Sequence, residues 1–162
     1  MPRPSTAPYP FGDLLALTRQ SWLGDLTRRL AARGYLGYRR SDAAALRMLR
    51  RSPLAIGQLG TRLGVTRQAA RKVADGLQRR GYATIARDQR DSRQLNVTLT
   101  VDGVDYARAI VAVIDELNRE VARLVAPAQL AAADSVLRAA LFDDIARQRA
   151  GWLPRPASTG SG

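Results

Sequence analysis

The stretch VTRQAARKVADGLQRRGYATIARDQRDSRQLNVTLTVDG, residues 65–103, decides which fold the chain can adopt. We predict that it forms a helix followed by a two-stranded hairpin. Thr66 can accept a hydrogen bond from a free backbone N–H at the start of a helix, and the helical spacing of apolar residues continues toward Gly81. The two strands are predicted at 82–87 and 95–99, because the helical period stops there and the second segment alternates apolar and polar residues.

The face of this helix opposite its apolar stripe carries side chains that can bind nucleic acid. Arg and Lys can bond guanine O6 and N7, Gln can bond adenine, and the cations can also contact phosphate. The candidate recognition residues are Thr66, Arg67, Gln68, Arg71 and Lys72, and the candidate residues at the charged hairpin tip are Arg90, Asp91 and Arg93. The alternative is an ordinary solvated helix face, which is common among surface helices.

These features together resemble the MarR family of bacterial transcriptional regulators. The resemblance is carried by Val65-Thr66, Leu77, Arg80-Gly81-Tyr82, Asp88, Asp91, Arg93, Leu99-Thr100 and Gly103. Thr100 can also cap the helix that follows the hairpin. Gln89 and Ser92 stand where members of the family often have Pro and Arg, and Arg90 is an additional basic residue near the tip. The substitutions leave open which arginine of the hairpin reaches DNA.

The resemblance implies a mainly α fold with a small β-wing, in which a winged helix-turn-helix is flanked by N- and C-terminal dimerisation helices. It also implies that Arg93 enters the minor groove, where narrow A·T-rich segments concentrate negative potential, and that Asp91 holds Arg93 by an ion pair. The alternative for these two residues is a loop salt bridge worth about 0 to 1 kcal/mol.

The N-terminal segments divide at proline and glycine residues. Residues 1–12 are rich in Pro and small residues and are expected to form a flexible arm. Residues 13–37 have a helical apolar pattern that ends at two glycines. A short helix opened by Ser41 or Asp42 should then stop before a proline, and residues 56–63 should form the first helix of the helix-turn-helix.

The C-terminal segments are also helical in pattern. Residues 104–149 carry an apolar band too broad for one small core to cover, and Pro127 is placed to begin a second helix within them. We therefore expect 13–37 and 104–149 to form the dimer interface, with 41–103 as the winged helix-turn-helix DNA-binding region and 150–162 as a tail.

The net charge of +12, from 26 Lys plus Arg and 14 Asp plus Glu, favours a nucleic acid or an anionic surface as partner. Residues 62–93 hold nine basic and three acidic residues, whereas residues 94–126 hold three and five. A GC-rich coding sequence is an alternative reason for the abundance of arginine. The concentration of positive charge on the predicted DNA-binding region nevertheless favours binding to DNA.

Other features restrict the class of protein. The length of 162 residues and the hydrophobic content of 46% predict one folding unit. Since Cys and His are absent, we expect no metal site, no cofactor and no enzyme activity. The alternative is an enzyme that uses carboxylates, with Asp115-Glu116 or Asp143-Asp144 as candidates. Adjacent residues point in different directions on a helix, which argues against such an active site. No apolar run of membrane-spanning length and no signal peptide are found, so we expect a cytoplasmic protein without a membrane partner.

An effector pocket is also predicted, with Arg19, Trp22, Tyr38 and Tyr106 as its candidate residues. An aromatic acid could stack on the rings while its carboxylate met the arginine. The alternative is that the aromatic residues only pack in the core or an interface. Without Cys or His, neither thiol oxidation nor the usual pH switch can regulate the protein, so a ligand or partner is expected to do so.

From these observations we expect a sequence-specific DNA-binding transcriptional regulator, a repressor released by a small aromatic ligand. Its partners would be double-stranded DNA, a second copy of the chain and the effector. A two-fold dimer places its recognition helices about one DNA turn apart, which predicts an inverted-repeat operator. The alternative is a non-specific architectural DNA-binding protein, and Gln68 among the arginines argues against it. The operator, the regulated genes and the effector are not predicted.

Overall fold

A computed structural model of the chain describes residues 10–88, 91 and 93–142. Its elements in chain order are α1 (Phe11–Ala32), α2 (Arg40–Leu49), β1 (Leu54–Ala55), α3 (Ile56–Leu63), α4 (Arg67–Arg79), β2 (Ala83–Arg87), β3 (Leu95–Leu99), α5 (Val101–Leu124) and α6 (Pro127–Ala139). The predicted fold class, mainly α with a small β-wing, is confirmed. The described residues fall into two compact units, the first ending at Leu117 and the second beginning at Asn118.

Helices α3 and α4 form the helix-turn-helix. Helix α3 has the predicted bounds and ends at Gly64, whose φ of 61° is left-handed and suits a residue without Cβ. Thr66 caps α4 as predicted, because its Oγ1 accepts a hydrogen bond from the backbone N–H of Ala69 at 3.1 Å. The helix buries one stripe of small and apolar residues, Ala70, Ala74, Gly76 and Leu77. Its opposite face is thereby left to solvent.

The sheet has three antiparallel strands in the order β1-β3-β2. Strands β2 and β3 pair along all five residues of each, close to the predicted ranges, although Tyr82 lies outside β2. Strand β1 was not predicted. In it Leu54 pairs with Val97 and Ala55 pairs with Asn96, so β3 is the central strand and its Val97 is fully buried.

The junction between the hairpin and α5 explains the spacing of Thr100 and Gly103. Thr100 Oγ1 accepts a hydrogen bond from the N–H of Gly103 at 3.0 Å, which confirms the predicted cap, and donates one to the carbonyl of Gly81 at 2.6 Å. A Cβ on Gly103 would lie 1.8 Å from the carbonyl oxygen of Tyr82. Only glycine therefore allows α5 to approach the end of α4 this closely.

The core of the first unit is formed by the second half of α1, α2, the helix-turn-helix, the sheet and the first half of α5. Its buried members are Leu26, Leu30, Ala45, Leu46, Leu49, Leu54, Ile56, Leu59, Leu63, Ala70, Ala74, Leu77, Ala83, Val97, Tyr106, Ala107, Ile110, Val113 and Leu117. At the surface, Arg33 Nη2 bonds both carboxylate oxygens of Glu116, at 2.7 and 2.9 Å, and so joins the end of α1 to α5. Across the described residues, none of the helices is long and apolar enough to cross a membrane.

The second unit contains the end of α5 and α6. Pro127 stands in the first turn of α6 as predicted, and the side chain of Gln129 accepts a hydrogen bond from the N–H of Ala126 at 2.8 Å. Helix α6 buries none of its residues. It ends at Ala139, before the predicted end near 149. The rest of that range and the tail at 150–162 lie outside the described residues.

Two helix starts differ from the prediction. Helix α1 begins at Phe11 and ends at Ala32, so the last two residues of the predicted arm are helical. Helix α2 has Arg39 as its N-cap, and neither Ser41 nor Asp42 takes that place. Asp42 lies in the first turn instead, where its Oδ2 accepts a hydrogen bond from the N–H of Arg39 at 3.1 Å. An acidic residue is favourable there as well.

Candidate nucleic-acid interface

The first turns of α4 present most of the predicted recognition residues to solvent. Arg67, Gln68 and Lys72 are exposed, and Thr66 is exposed at the N-cap. Helical spacing puts Gln68 and Lys72 one turn apart, so both project from the same side of the helix. The helix can therefore offer these side chains to a groove without a change in the packed face behind it.

Arg71 differs from its neighbours because it already has a partner. Its Nε lies 2.8 Å from Oδ1 of Asp75, four residues later on the helix, and its side chain is 43% exposed. Such a helical pair contributes about 0.3–0.5 kcal/mol. This is less than a bidentate contact to guanine contributes, so the pair does not prevent Arg71 from binding a base.

Strands β2 and β3 are closed by a hydrogen-bonded turn. Asp88 Oδ1 accepts a hydrogen bond from the N–H of Asp91 at 3.0 Å, and Asp88 Oδ2 accepts one from the amide of Asn96 at 2.6 Å. The backbone N–H of Asp88 donates to the carbonyl of Gln94 at 3.0 Å. These bonds fix the base of the wing. Arg90, one of the predicted tip residues, lies outside the described residues, as do positions 89 and 92.

The predicted ion pair between Asp91 and Arg93 is wrong. Asp91 Oδ1 accepts a hydrogen bond from the backbone N–H of Arg93 at 3.0 Å, and Oδ2 accepts one from the side-chain amide of Gln94 at 3.0 Å. A carboxylate two residues before a backbone N–H reaches it more easily than a long side chain does, as in an Asx-turn. Asp91 therefore shapes the turn, and Arg93 stays exposed.

A buried ion pair at the far end of α4 was missed in the sequence. Arg80 Nη1 lies 2.8 Å from Asp42 Oδ2 and Nη2 lies 3.0 Å from Oδ1, while only 1% of Asp42 is exposed. The Arg80 Nε also donates to the carbonyl of Gly76 at 2.9 Å. The hydrogen bond to Asp42 raises the pKa of Arg80 above its ordinary value. The pair fixes the end of α4 against the start of α2.

A signal for this pair was present in the sequence. Asp42 precedes Ala45, Leu46 and Leu49 at helical spacings, and all four residues are buried. A carboxylate within an apolar stripe needs a counter-charge, since burying it alone would be unfavourable. The spacing of the apolar residues could not show that Arg80 is this counter-charge, because Arg80 lies 38 residues after Asp42 in the sequence.

Tyr106, which we predicted to line an effector pocket, is a core residue. Its side chain is fully buried, with ring centroids 5.1 Å from Tyr35 and 4.4 Å from Tyr82, and its hydroxyl donates to Asp42 Oδ2 at 3.4 Å. Burial, and then the negative charge of Asp42, raise the pKa of Tyr106 above its ordinary value. A ligand has no access to this ring in the described structure.

The other three predicted pocket residues lie in different environments. Trp22 and Tyr38 are half-buried and pack against the core, and Arg19 is exposed. Burial also raises the pKa of Tyr38. A shallow cleft of about 140 Å³ lies elsewhere, between the start of α2 and α4. Its lining residues are Arg39, Ser41, Asp42, Lys72, Val73, Gly76 and Arg80.

Solved structures of bacterial proteins share this fold. A cysteine-to-serine variant of MarR from E. coli, complexed with operator DNA, is 19% identical, with a TM-score of 0.66 over 82% of this chain and 94% of that one. BpsR of Bordetella bronchiseptica, whose DNA binding is regulated by 6-hydroxynicotinic acid, is 21% identical, with a TM-score of 0.65 over 85% and 100%. YusO from Bacillus subtilis is 15% identical, with a TM-score of 0.62 over 78% and 89%.

The sequence itself matches a family over the segment that contains the helix-turn-helix. Residues 36–94 match the sequence profile of the MarR family, whereas no curated protein matches the chain. The matched range runs from the residues before α2 to the base of the wing, and so contains the helix-turn-helix and β2. Over this range the chain is therefore similar to the MarR family, and its fold is the winged-helix fold of the solved structures above.

Proposed function

We propose that this protein is a cytoplasmic repressor that binds an inverted-repeat operator in double-stranded DNA as a homodimer. The observation that carries the proposal is the exposed face of α4, with Arg67, Gln68 and Lys72, next to a wing that presents Arg93. An α-helix fits the DNA major groove, and Arg, Lys and Gln are side chains that read base edges there. The complex of MarR with operator DNA shows that this fold accommodates a duplex in that protein.

Selection of bound duplexes from random DNA tests this proposal most directly. We expect an inverted repeat whose half-sites are about 10 bp apart from centre to centre, because two recognition helices of a two-fold dimer must lie on one side of the duplex. Binding without any sequence preference would support an architectural DNA-binding protein instead. A reporter gene placed behind the selected operator should be repressed when the protein is expressed, and activation would contradict the repressor role.

The homodimer is supported by apolar side chains that the single chain does not cover. On α1, Leu14, Leu15 and Leu17 are 47%, 41% and 62% exposed. Large apolar side chains are also exposed at the end of α5 and on α6. Exposed patches of large apolar side chains are uncommon on monomeric proteins and usually mark an interface. Light scattering at micromolar concentration should give twice the mass of the chain, and a monomer would contradict the proposal.

Variants of two arginines separate reading in the major groove from reading by the wing. Arg71→Ala should relax specificity by about 1–3 kcal/mol at one position in each half-site if the side chain bonds guanine. Arg93→Ala should weaken binding most at operators with A·T-rich flanks, where the minor groove is narrow. Asp75→Ala is a matched control for Arg71, because it frees the guanidinium and removes a negative charge. It should preserve specificity.

A uniform loss on all sequences after Arg71→Ala would reassign this residue to a phosphate contact. An unchanged flank preference after Arg93→Ala would mean that the wing does not enter the minor groove. Neither outcome would affect the proposal that α4 lies in the major groove, because Gln68 and Arg67 provide an independent test at other base pairs.

Release from DNA by a small aromatic acid is the proposed regulation. BpsR, which has the same fold, responds to 6-hydroxynicotinic acid. Here Arg19, Trp22 and Tyr38 remain the candidate residues, whereas Tyr106 would have to leave the core to take part. Aromatic acids, 6-hydroxynicotinic acid among them, should be titrated against the operator complex while tryptophan fluorescence is followed. An unchanged response of Trp22→Leu would exclude this site.

A further inference from the structure

The cleft beside α4 contains positive charge that has no partner in an ion pair. Asp42 is bonded through both oxygens to Arg80, so that pair is neutral as a whole. Arg39 and Lys72 also line the cleft, and no ion pair among the described residues includes either of them. Ser41 is another residue of the same lining. The cleft thus combines two cations that form no ion pair within the described part of the chain with a residue that can form neutral hydrogen bonds.

The floor of the cleft is a glycine of α4. A Cβ on Gly76 would lie 3.6 Å from Nη1 of Arg39, which is ordinary van der Waals contact, so the guanidinium lies directly over this residue. Glycine destabilises a helix interior relative to alanine. Its position here keeps open a space that any side chain would begin to fill.

The cleft also lies beside the recognition face. Gln68, Lys72 and Gly76 follow one another at steps of four residues, so they lie along one edge of α4, and the guanidinium of Arg39 lies over the last of them. When a helix lies in the major groove, the sugar-phosphate backbones run along both of its sides. About half to two-thirds of protein–DNA hydrogen bonds are made to phosphate and sugar, and they fix the register of the protein.

We propose that Arg39, Ser41 and Lys72 form a cleft that binds one DNA backbone phosphate at the edge of the recognition helix in each half-site. The inference rests on the proposed function, since it requires that α4 lie in the major groove. It assigns Lys72 to a phosphate and leaves base reading to Arg67, Gln68 and Arg71. A guanidinium and an ammonium on one phosphate form charge-assisted hydrogen bonds, which are stronger than neutral ones.

The salt dependence of operator binding tests this site. Arg39→Gln should reduce the slope of log K against log salt by about 0.9 for each lost phosphate contact, hence by about two units for a dimer. The loss of affinity should be equal on the selected operator and on unrelated DNA, because phosphate carries no sequence information. Arg50→Gln, at the exposed end of α2, makes the same change in charge outside the cleft and should leave the slope nearly unchanged.

Ethylation of single phosphates locates the contact. In the wild-type complex, ethylation of one phosphate in each half-site should weaken binding, and with Arg39→Gln the same ethylation should lose its effect. Gly76→Glu provides a second variant, since it places a carboxylate under Arg39 and should weaken binding more than Arg39→Gln does. Circular dichroism of each variant establishes that it is folded.

The possible outcomes separate the cleft from the proposed function. If the wild-type protein shows no preferred duplex, the proposed function fails. If it binds its operator and Arg39→Gln and Arg50→Gln lower the salt slope equally, only general charge is involved and the cleft is not a site. An ethylation pattern that Arg39→Gln leaves intact would also overturn the inference, while the recognition helix would keep its role.

Discussion

The two halves of α5 have the same apolar periodicity and opposite burial. In the first half Tyr106, Ile110, Val113 and Leu117 are at most 5% exposed, whereas in the second half Val121 and Leu124 are 38% and 81% exposed. The spacing of apolar residues predicts a helix with an apolar face in both cases. It does not say whether the covering surface belongs to the same chain. The first half completes the core of its own chain. We propose that the second half packs against a second copy of the chain in a homodimer.

A matched pair of substitutions along α5 tests this contrast and has the largest expected effect. Val113→Asp would place a carboxylate at a fully buried position without a counter-charge. Because burying an unpaired charge is strongly unfavourable and domains are stable by only about 5–15 kcal/mol, this variant should be unfolded at room temperature. Circular dichroism and urea titration measure the loss.

The partner substitution is Leu124→Asp, at a position 81% exposed in the single chain. It should leave the helical signal intact but produce a monomer in light scattering and weaken operator binding at least tenfold, since each half-site is then bound separately. If Leu124→Asp remained a dimer with full affinity, the second half of α5 would not be the interface. If Val113→Asp folded normally, the burial of the first half would be in error.

The anchor of the buried half gives the next largest effect. Tyr106 at the start of α5 bonds Asp42, whose charge is balanced by Arg80. Arg80→Ala leaves this carboxylate buried without a counter-charge and should lower the free energy of unfolding by about 3–5 kcal/mol. The exposed neighbour Arg79 is the control. Arg79→Ala should change the free energy of unfolding by no more than about 0.5 kcal/mol.

A double variant identifies the cause of the Arg80 effect. When Asp42→Ala is combined with Arg80→Ala, no charge remains buried, so the double variant should be more stable than the sum of the two single losses predicts. Strictly additive losses would show that the two side chains act through packing alone. Urea-induced unfolding of the wild-type protein, the two single variants and the double variant measures the four free energies of unfolding that the comparison needs.

Local patterns predicted a large part of the fold. The bounds of α3 and β3, the caps at Thr66 and Thr100 and the first turn at Pro127 all follow from residues within a few positions of one another. The prediction of the wing and of an exposed polar face on α4 depended on the same local signals. These features are recoverable because their physical causes are local in the sequence.

The features that were missed depend on partners distant in the sequence. Strand β1 has two residues, and its pairing with Val97 and Asn96 of β3 cannot be read from so short a segment. Asp42 was interpreted as a helix cap, because the local pattern contains the carboxylate but not its arginine. No sequence motif includes Arg39, and its position beside α4 is visible only in the folded structure, where it lines the cleft.

The smallest effect concerns the hydroxyl of Tyr106 at high pH. Burial and the charge of Asp42 raise the pKa of Tyr106, so the folded protein keeps the phenol neutral above pH 10, where an unfolded chain would ionise it. A raised pKa in the folded state contributes stability that is fully present below pH 10 and is lost as the pH rises further. Tyr106→Phe removes this contribution together with the hydrogen bond of 3.4 Å to Asp42.

At neutral pH the variant should therefore be less stable by no more than about 1 kcal/mol, because a long hydrogen bond contributes little. Between pH 10 and 11 the free energy of unfolding of the wild-type protein should fall by up to about 1.4 kcal/mol more than that of Tyr106→Phe. Tyr38 and Tyr82, whose pKa values are also raised by burial, contribute to the decline of both proteins and cancel in the comparison. Urea titrations at pH 8, 10 and 11 measure the difference. If the two proteins declined in parallel, Tyr106 would ionise as readily in the folded chain as in the unfolded one, and the buried half of α5 would be more open to water than its packing shows.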